Sequence, residues 1–156
     1  MKRIHTVLLA GSLIAAAGLS FAGGHGGNPA VKARKAHMQL YAHNIGILGA
    51  MAKGEAEYNA DAASGAANNL ATLAGLYQGS YWVPGTSNAE LGDETTALPA
   101  IWESGSTAGQ IGGQLAEAAA ALAAVAGDGQ AALGPALGPV GKACGDCHKG
   151  YRQSNN

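Results

Sequence analysis

An all-α fold, an antiparallel four-helix bundle, is what this sequence predicts, on three observations. Apolar residues recur at alternating spacings of three and four in four separate stretches. No strand-like alternation of useful length occurs between them. Two short connections and one long loop join the stretches, which favours antiparallel neighbours packed around one core. The chain has 156 residues, 47% of them hydrophobic, which is the size of a single domain able to bury that core.

Residues 1–22 are set aside first, because they have the three parts of an export signal. Lys2 and Arg3 form the positive end, Val7 to Leu19 is a small and apolar run, and Ser20-Phe21-Ala22 presents small residues for cleavage after Ala22. The apolar run is shorter than the ~20 residues a spanning helix needs, so no stable membrane insertion is expected. The mature domain is then 23–156, with 23–27 (GGHGG) as a flexible tail, and its expected location is the periplasm. Loss of Lys2 and Arg3 from 9 basic residues leaves 7 against 10 acidic ones, a mildly acidic chain without Lys/Arg runs. A nucleic-acid partner held through its phosphates is therefore not expected.

The first helix opens with Asn28 as N-cap and Pro29 at the first helical position, and ends near Gly54. Val31, Arg34, Met38, Tyr41, Ile45, Leu48 and Ala52 form its stripe. The second runs from about Asp61 to Gln78, with Ala63, Ala67, Leu70, Leu73, Ala74 and Tyr77 on its apolar face. Ser80 to Glu94, with Pro84-Gly85-Thr86, reads as a long crossing loop that carries Tyr81 and Trp82. A third helix is expected from Leu98-Pro99 through Ile101, Gly105 and Ala108 to Ala126, stopped by Gly127-Asp128-Gly129. The fourth carries Leu133, Leu137, Val140, Cys144, Cys147 and Tyr151. Pro135 and Pro139 interrupt it, so either it bends there or it begins at Pro139.

Seven glycines (46, 49, 75, 105, 109, 112 and 113) fall inside these predicted helices, each at a cost of about 0.5–1 kcal/mol relative to Ala. No Phe follows position 21 to fill space. A large apolar cofactor lying against small residues would account for both, and packing of Ala against Gly without one is the alternative.

Cys144-Gly145-Asp146-Cys147-His148 uses the only two cysteines of the chain in a C-x-x-C-H motif, which reads as covalent haem attachment. On a helix all three side chains share one face. The two thiols add to the two haem vinyl groups as thioethers, and the imidazole ligates iron. A redox disulfide would call for a βαβ unit, zinc would need a fourth ligand at suitable spacing, and a disulfide across so few residues would be strained.

Val140 to Arg152 (VGKACGDCHKGYR) resembles the haem-binding end of class II c-type cytochromes, the cytochrome c′ family. Arg34-Lys35-Ala36-His37-Met38 and Ala100-Ile101-Trp102 are similar to its first-helix and third-helix elements. The resemblance implies that Cys144 and Cys147 hold one haem c, with His148 as fifth ligand. It places Arg34 near a haem propionate, Trp102 near the haem, and Arg152 either at the haem edge or simply at the helix end. It also implies a homodimer through the first two helices.

The same resemblance puts Met38 on the distal side of the haem. A Met there either ligates iron, as in the low-spin members, or blocks the position without bonding, as in the gas-binding ones. Leu48 to Glu55 (LGAMAKGE) looks more like the low-spin members, so His148/Met38 ligation and electron transfer with redox protein partners is the favoured expectation. Binding of nitric oxide or carbon monoxide, with Met38 as a steric gate, is the alternative. No distal acid/base pair lies on the first-helix stripe, so an enzyme is not expected. His37 and His43 fall off that stripe and read as surface or inter-subunit groups.

Overall fold

The computed structural model describes residues 27–154, so the export signal, its cleavage site and most of the glycine tail lie outside the described residues. Five α-helices and two 3-10 turns make up the described chain, and the four long helices form the bundle.

Helix α1 (Pro29–Lys53) starts where the Asn28 side chain accepts from the backbone N–H groups of Ala30 and Val31, at 2.9 and 3.3 Å. It stops at Gly54, whose φ of 72° is the left-handed conformation that closes a helix at no Cβ cost. Helix α2 (Ala60–Gly75) is capped by Asn59 and carries Asp61 in its first turn, where a carboxylate suits the helix dipole. It ends before Leu76, a turn earlier than the periodicity suggests, which releases Tyr77 to solvent.

The segment between α2 and α4 is more ordered than a plain loop. It contains the one-turn α3 (Asn88–Leu91), opened by a Ser87/Glu90 capping box, and the 3-10 turns Gly92–Glu94 and Pro99–Ile101. The expected third helix therefore does not begin at Leu98. Gly105, at φ +89°, breaks the path, and α4 runs from Ala108 to Val125. The apparent continuity of Ile101, Gly105 and Ala108 with the later stripe is a coincidence of spacing.

Helix α5 (Gln130–Tyr151) passes through both prolines. Gly134 and Gly138 immediately precede them, and without a Cβ these glycines relieve the clash that drives a pre-proline residue out of the helical region. Both prolines are exposed, so water can satisfy the carbonyls they leave unpaired. Pro139→Ala should restore one helical hydrogen bond on this outer face. It is expected to raise stability by about 1–2 kcal/mol, the ~3 kcal/mol helix penalty less the lost stiffness of the unfolded chain. A urea-midpoint comparison checks the sign.

Helix α1 packs on α2 and α5, and α4 packs on the same two. The α1 start, the α2 end, the α4 start and the α5 end meet at one pole, giving an up-down-up-down bundle. Leu48, Leu70, Leu122, Leu133, Val31 and Val140 are its largest fully buried apolar side chains. Ala63, Ala66, Ala67, Ala119 and Ala126 fill the rest of the contact, which lets the helices approach closely. At the opposite pole the Tyr58 hydroxyl donates to the Ala126 carbonyl and accepts from the Gly129 N–H, tying the two short connections together.

Candidate functional site

Cys144, Cys147 and His148 share a half-buried face of α5 above the buried Val140 and Ala143. Asp146, the motif's second spacer, instead pairs with exposed Lys142 one turn back. Both thiols are free, and burial pushes each of them up from its ordinary pKa. Burial pulls His148 down, helped by the charge of Arg152. The motif thus presents two neutral thiols and an imidazole biased toward its neutral form, with a lone pair to give. Arg152 itself is exposed; its backbone N–H closes α5 on the His148 carbonyl at 3.3 Å.

The α2–α4 segment is fastened to this end of α5. Leu98 N–H donates to the Tyr151 carbonyl at 3.0 Å, Gln153 N–H to the Thr96 carbonyl at 2.8 Å, and Thr107 N–H to the Tyr151 hydroxyl at 2.8 Å. The same segment wraps Arg34 of α1. One terminal nitrogen of Arg34 donates to the Tyr81 carbonyl and the Thr86 hydroxyl, the other to the Thr86 carbonyl and the Thr95 hydroxyl, at 2.9–3.2 Å. Trp82 and Trp102 flank the guanidinium, 4.8 and 5.9 Å from ring centroid to Cζ. Trp102 is held there by its indole N–H, which donates to the Trp82 carbonyl at 3.0 Å. Burial lowers the Arg34 pKa, yet no carboxylate among the described residues pairs with it. A buried cation of this kind leaves room for an anion from elsewhere.

His37 corrects the sequence reading. It is buried, not a surface group, with its ring against Tyr41 at 4.6 Å and against Tyr81 at 5.6 Å. Burial pulls its pKa down, and the Leu73 carbonyl works the other way. His37 Nε2 and the Tyr41 hydroxyl are both buried without a well-formed hydrogen bond. Burial raises the Tyr41 pKa; the Gln78 side chain opposes this and Cys144 adds to it, which places the phenol in the electrical neighbourhood of the motif. His43, by contrast, is exposed as expected.

Met38 is half-buried against the core cluster. Its direction follows from a groove of about 470 Å³ between α1 and α5, where Ile45, Gly46 and Gly49 meet Leu137, Val140 and Gly141. Two turns toward the fastened pole, seven residues on each antiparallel helix, Ile45 becomes Met38 and Gly141 becomes His148. A seven-residue step returns nearly to the same helical face, so Met38 and His148 lie on the facing sides of α1 and α5. A Cβ at Gly46, Gly49 or Gly141 would meet nothing within 4 Å, which leaves these faces bare.

Two free thiols with an adjoining imidazole, uncompensated Arg34, and orphaned polar atoms on His37 and Tyr41 together fit a haem bearing two vinyl groups and carboxylates.

A family model described as cytochrome C′ matches residues 29–152. The chain belongs to the cytochrome c′ family. Cytochrome c-554 of Cereibacter sphaeroides is 40% identical over 125 residues, covering 80% of this chain and 81% of that one. A solved cytochrome c′ from Rhodobacter sphaeroides superposes with a TM-score of 0.77 at 40% identity, covering 81% of this chain and 96% of the other. A nitric oxide complex of a cytochrome c′ mutant from Alcaligenes xylosoxidans has a TM-score of 0.69 at 30% identity, covering 81% and 94%. Cytochromes c′ bind covalent haem c, and Cys144 and Cys147 are this chain's thiols for it.

Of the residues singled out in the sequence, the structure brings Cys144, Cys147 and His148 onto one face, with Met38 on the opposing helix. Arg34 and Trp102 join in the clamp, and Arg152 stays outside. His37 and the oxygens of Thr86 and Thr95 were not legible as site groups. His37 lies three residues after Arg34 and four before Tyr41, and that spacing was the available signal.

Proposed function

We propose that this chain is a periplasmic haem protein that binds nitric oxide or carbon monoxide, in which His148 would hold the iron and Met38, on the facing helix, would act as a steric gate. The placing of Met38 and His148 on the facing sides of α1 and α5 carries this reading. The nitric oxide complex of a relative and the family's name support it. A haem iron held from one side supplies an open coordination position for a small uncharged ligand.

Everything else falls to the chain. Cys144 and Cys147 fix the macrocycle to α5, and the fastened end of that helix sets the His148 ring. Met38, unbranched and flexible, fills the distal space and keeps water out, and it can rotate aside for a diatomic molecule. Exposed Leu40 on α1 offers apolar surface for pairing of two copies, as the proposed homodimer needs.

A second reading rests on the chemistry of Met38 itself. Its thioether sulfur is a soft iron ligand, and His148/Met38 ligation would raise the potential and suit electron transfer with redox protein partners. Absorption spectra of the mature protein, oxidised and reduced, with and without carbon monoxide, separate the two. A gate predicts a high-spin spectrum that responds to carbon monoxide, with binding at least about tenfold faster in Met38→Ala, the rate equivalent of about 1.4 kcal/mol. A low-spin spectrum with a sulfur-to-iron band that Met38→Ala abolishes, and no response to carbon monoxide, would establish the electron carrier instead.

A further inference from the structure

Two buried polar atoms on α1 have no well-formed partner among the described residues: Nε2 of His37 and the hydroxyl of Tyr41. Leaving either unpaired in the interior is costly, and two such losses at one place are rare in native proteins. They are not scattered. His37 and Tyr41 are one helical turn apart with ring centroids at 4.6 Å, and Tyr41 belongs to the core cluster against which Cys144 packs. One turn before His37 stands Arg34, a buried cation with no carboxylate partner among the described residues.

The obvious anchor for a haem carboxylate is Arg34, but its terminal N–H groups are already committed. All four point at oxygens of Tyr81, Thr86 and Thr95. It supplies positive charge without free terminal donors. His37 and Tyr41 have the opposite property: each is uncharged when neutral and buries a polar atom that lacks a well-formed hydrogen bond, the Leu73 carbonyl and the Gln78 side chain being the groups that compete for them. Charge from one residue and donors from two others, along a single face, describe a seat for an anionic oxygen acceptor. The anionic groups of a haem are its propionates.

We propose that His37 Nε2–H and the Tyr41 hydroxyl donate hydrogen bonds to a haem propionate, with Arg34 compensating its charge from the adjacent turn while clamping the α2–α4 segment. Facing a carboxylate, the His37 ring carries its proton on Nε2, since the partner of each ring nitrogen selects the tautomer. The seat requires the haem but neither distal reading, so it stands apart from whether Met38 gates or ligates.

Resonance Raman spectra of the covalently loaded protein test it through the propionate-bending modes, a readout independent of gas binding and electron transfer. Tyr41→Phe keeps the ring and removes one donor, and it should shift one propionate mode. His37→Phe should shift the same mode, and His37→Gln, which returns an N–H near the Nε2 position, should restore it. Tyr58→Phe, at the far pole, serves as the control and should leave the modes unchanged. Far-ultraviolet circular dichroism establishes that each variant is folded. Propionate modes identical to the parent protein in folded Tyr41→Phe and His37→Phe would overturn the proposal.

Discussion

Replacing both Cys144 and Cys147 with Ala is expected to abolish covalent haem. After acid–acetone extraction the parent protein should keep its colour in the protein pellet, while the double variant should release essentially all of its haem to the solvent. Each single variant should hold haem through one thioether. The expectation follows from the motif's geometry: the thiols are one turn apart on one face of α5, free, and held neutral by burial. His148 survives in the double variant and can still hold haem under native conditions, but a single imidazole bond does not outlast denaturation. Retention in the pellet of the double variant would sink the attachment scheme.

The same variant should be less stable as well as colourless. Met38, Tyr41 and Cys144 belong to or pack against the core cluster beside the motif, so loss of the haem removes apolar contact there much as a large-to-small core substitution does, and a loss of about 2–5 kcal/mol is expected in urea titrations.

The bundle itself was legible because its signals are local. Asn28-Pro29, Gly54 and the Gly127-Asp128-Gly129 stop act within a turn of the ends they mark. The α2–α4 segment was not, because its order is made by distant partners: Arg34, Tyr151 and Gln153 hold it. A third helix extended back to Leu98 was the price of trusting spacing across Gly105, whose φ of +89° no periodicity records.

The α1 stripe shows a subtler failure. Alternating threes and fours can be drawn from Arg34 as 34-38-41-45-48-52 or as 34-37-41-44-48-51, and hydropathy selects the first. The structure buries the second, His37, Asn44 and Met51 included. Asn44 turns toward α2, where it accepts from Asn69 at 3.1 Å, and its own amide donates to the Leu40 carbonyl. Met38 and Ile45 turn toward α5 and remain half-buried. Periodicity reports which residues share a face, and not which neighbour covers it, so it carries no sign that His37 and Asn44 are buried. Both edges of the stripe are interior once a haem occupies the α5 side.

Arg34→Leu is expected to destabilise the loaded protein by about 3 kcal/mol. The removed guanidinium leaves four acceptors, but they are not equal. The Thr86 hydroxyl still donates to the Val83 carbonyl at 2.6 Å, and the Thr95 hydroxyl still accepts from the Ala97 N–H at 3.2 Å. The carbonyls of Tyr81 and Thr86 have no such second engagement through Arg34's absence, and two orphaned groups cost about 1–3 kcal/mol each. Relief of the buried charge offsets part of this, since burial already presses Arg34 toward its neutral form. Lys at the same place brings charge without the planar fork, and one ammonium cannot span acceptors arranged around two guanidinium nitrogens. Arg34→Lys should therefore recover less than half of the loss. Limited proteolysis adds the local readout: cleavage should appear first between Gly79 and Ser87, the stretch that this clamp and the Tyr81–His37 ring contact hold to α1. A urea midpoint unchanged in Arg34→Leu would mean that the segment is held by α5 alone.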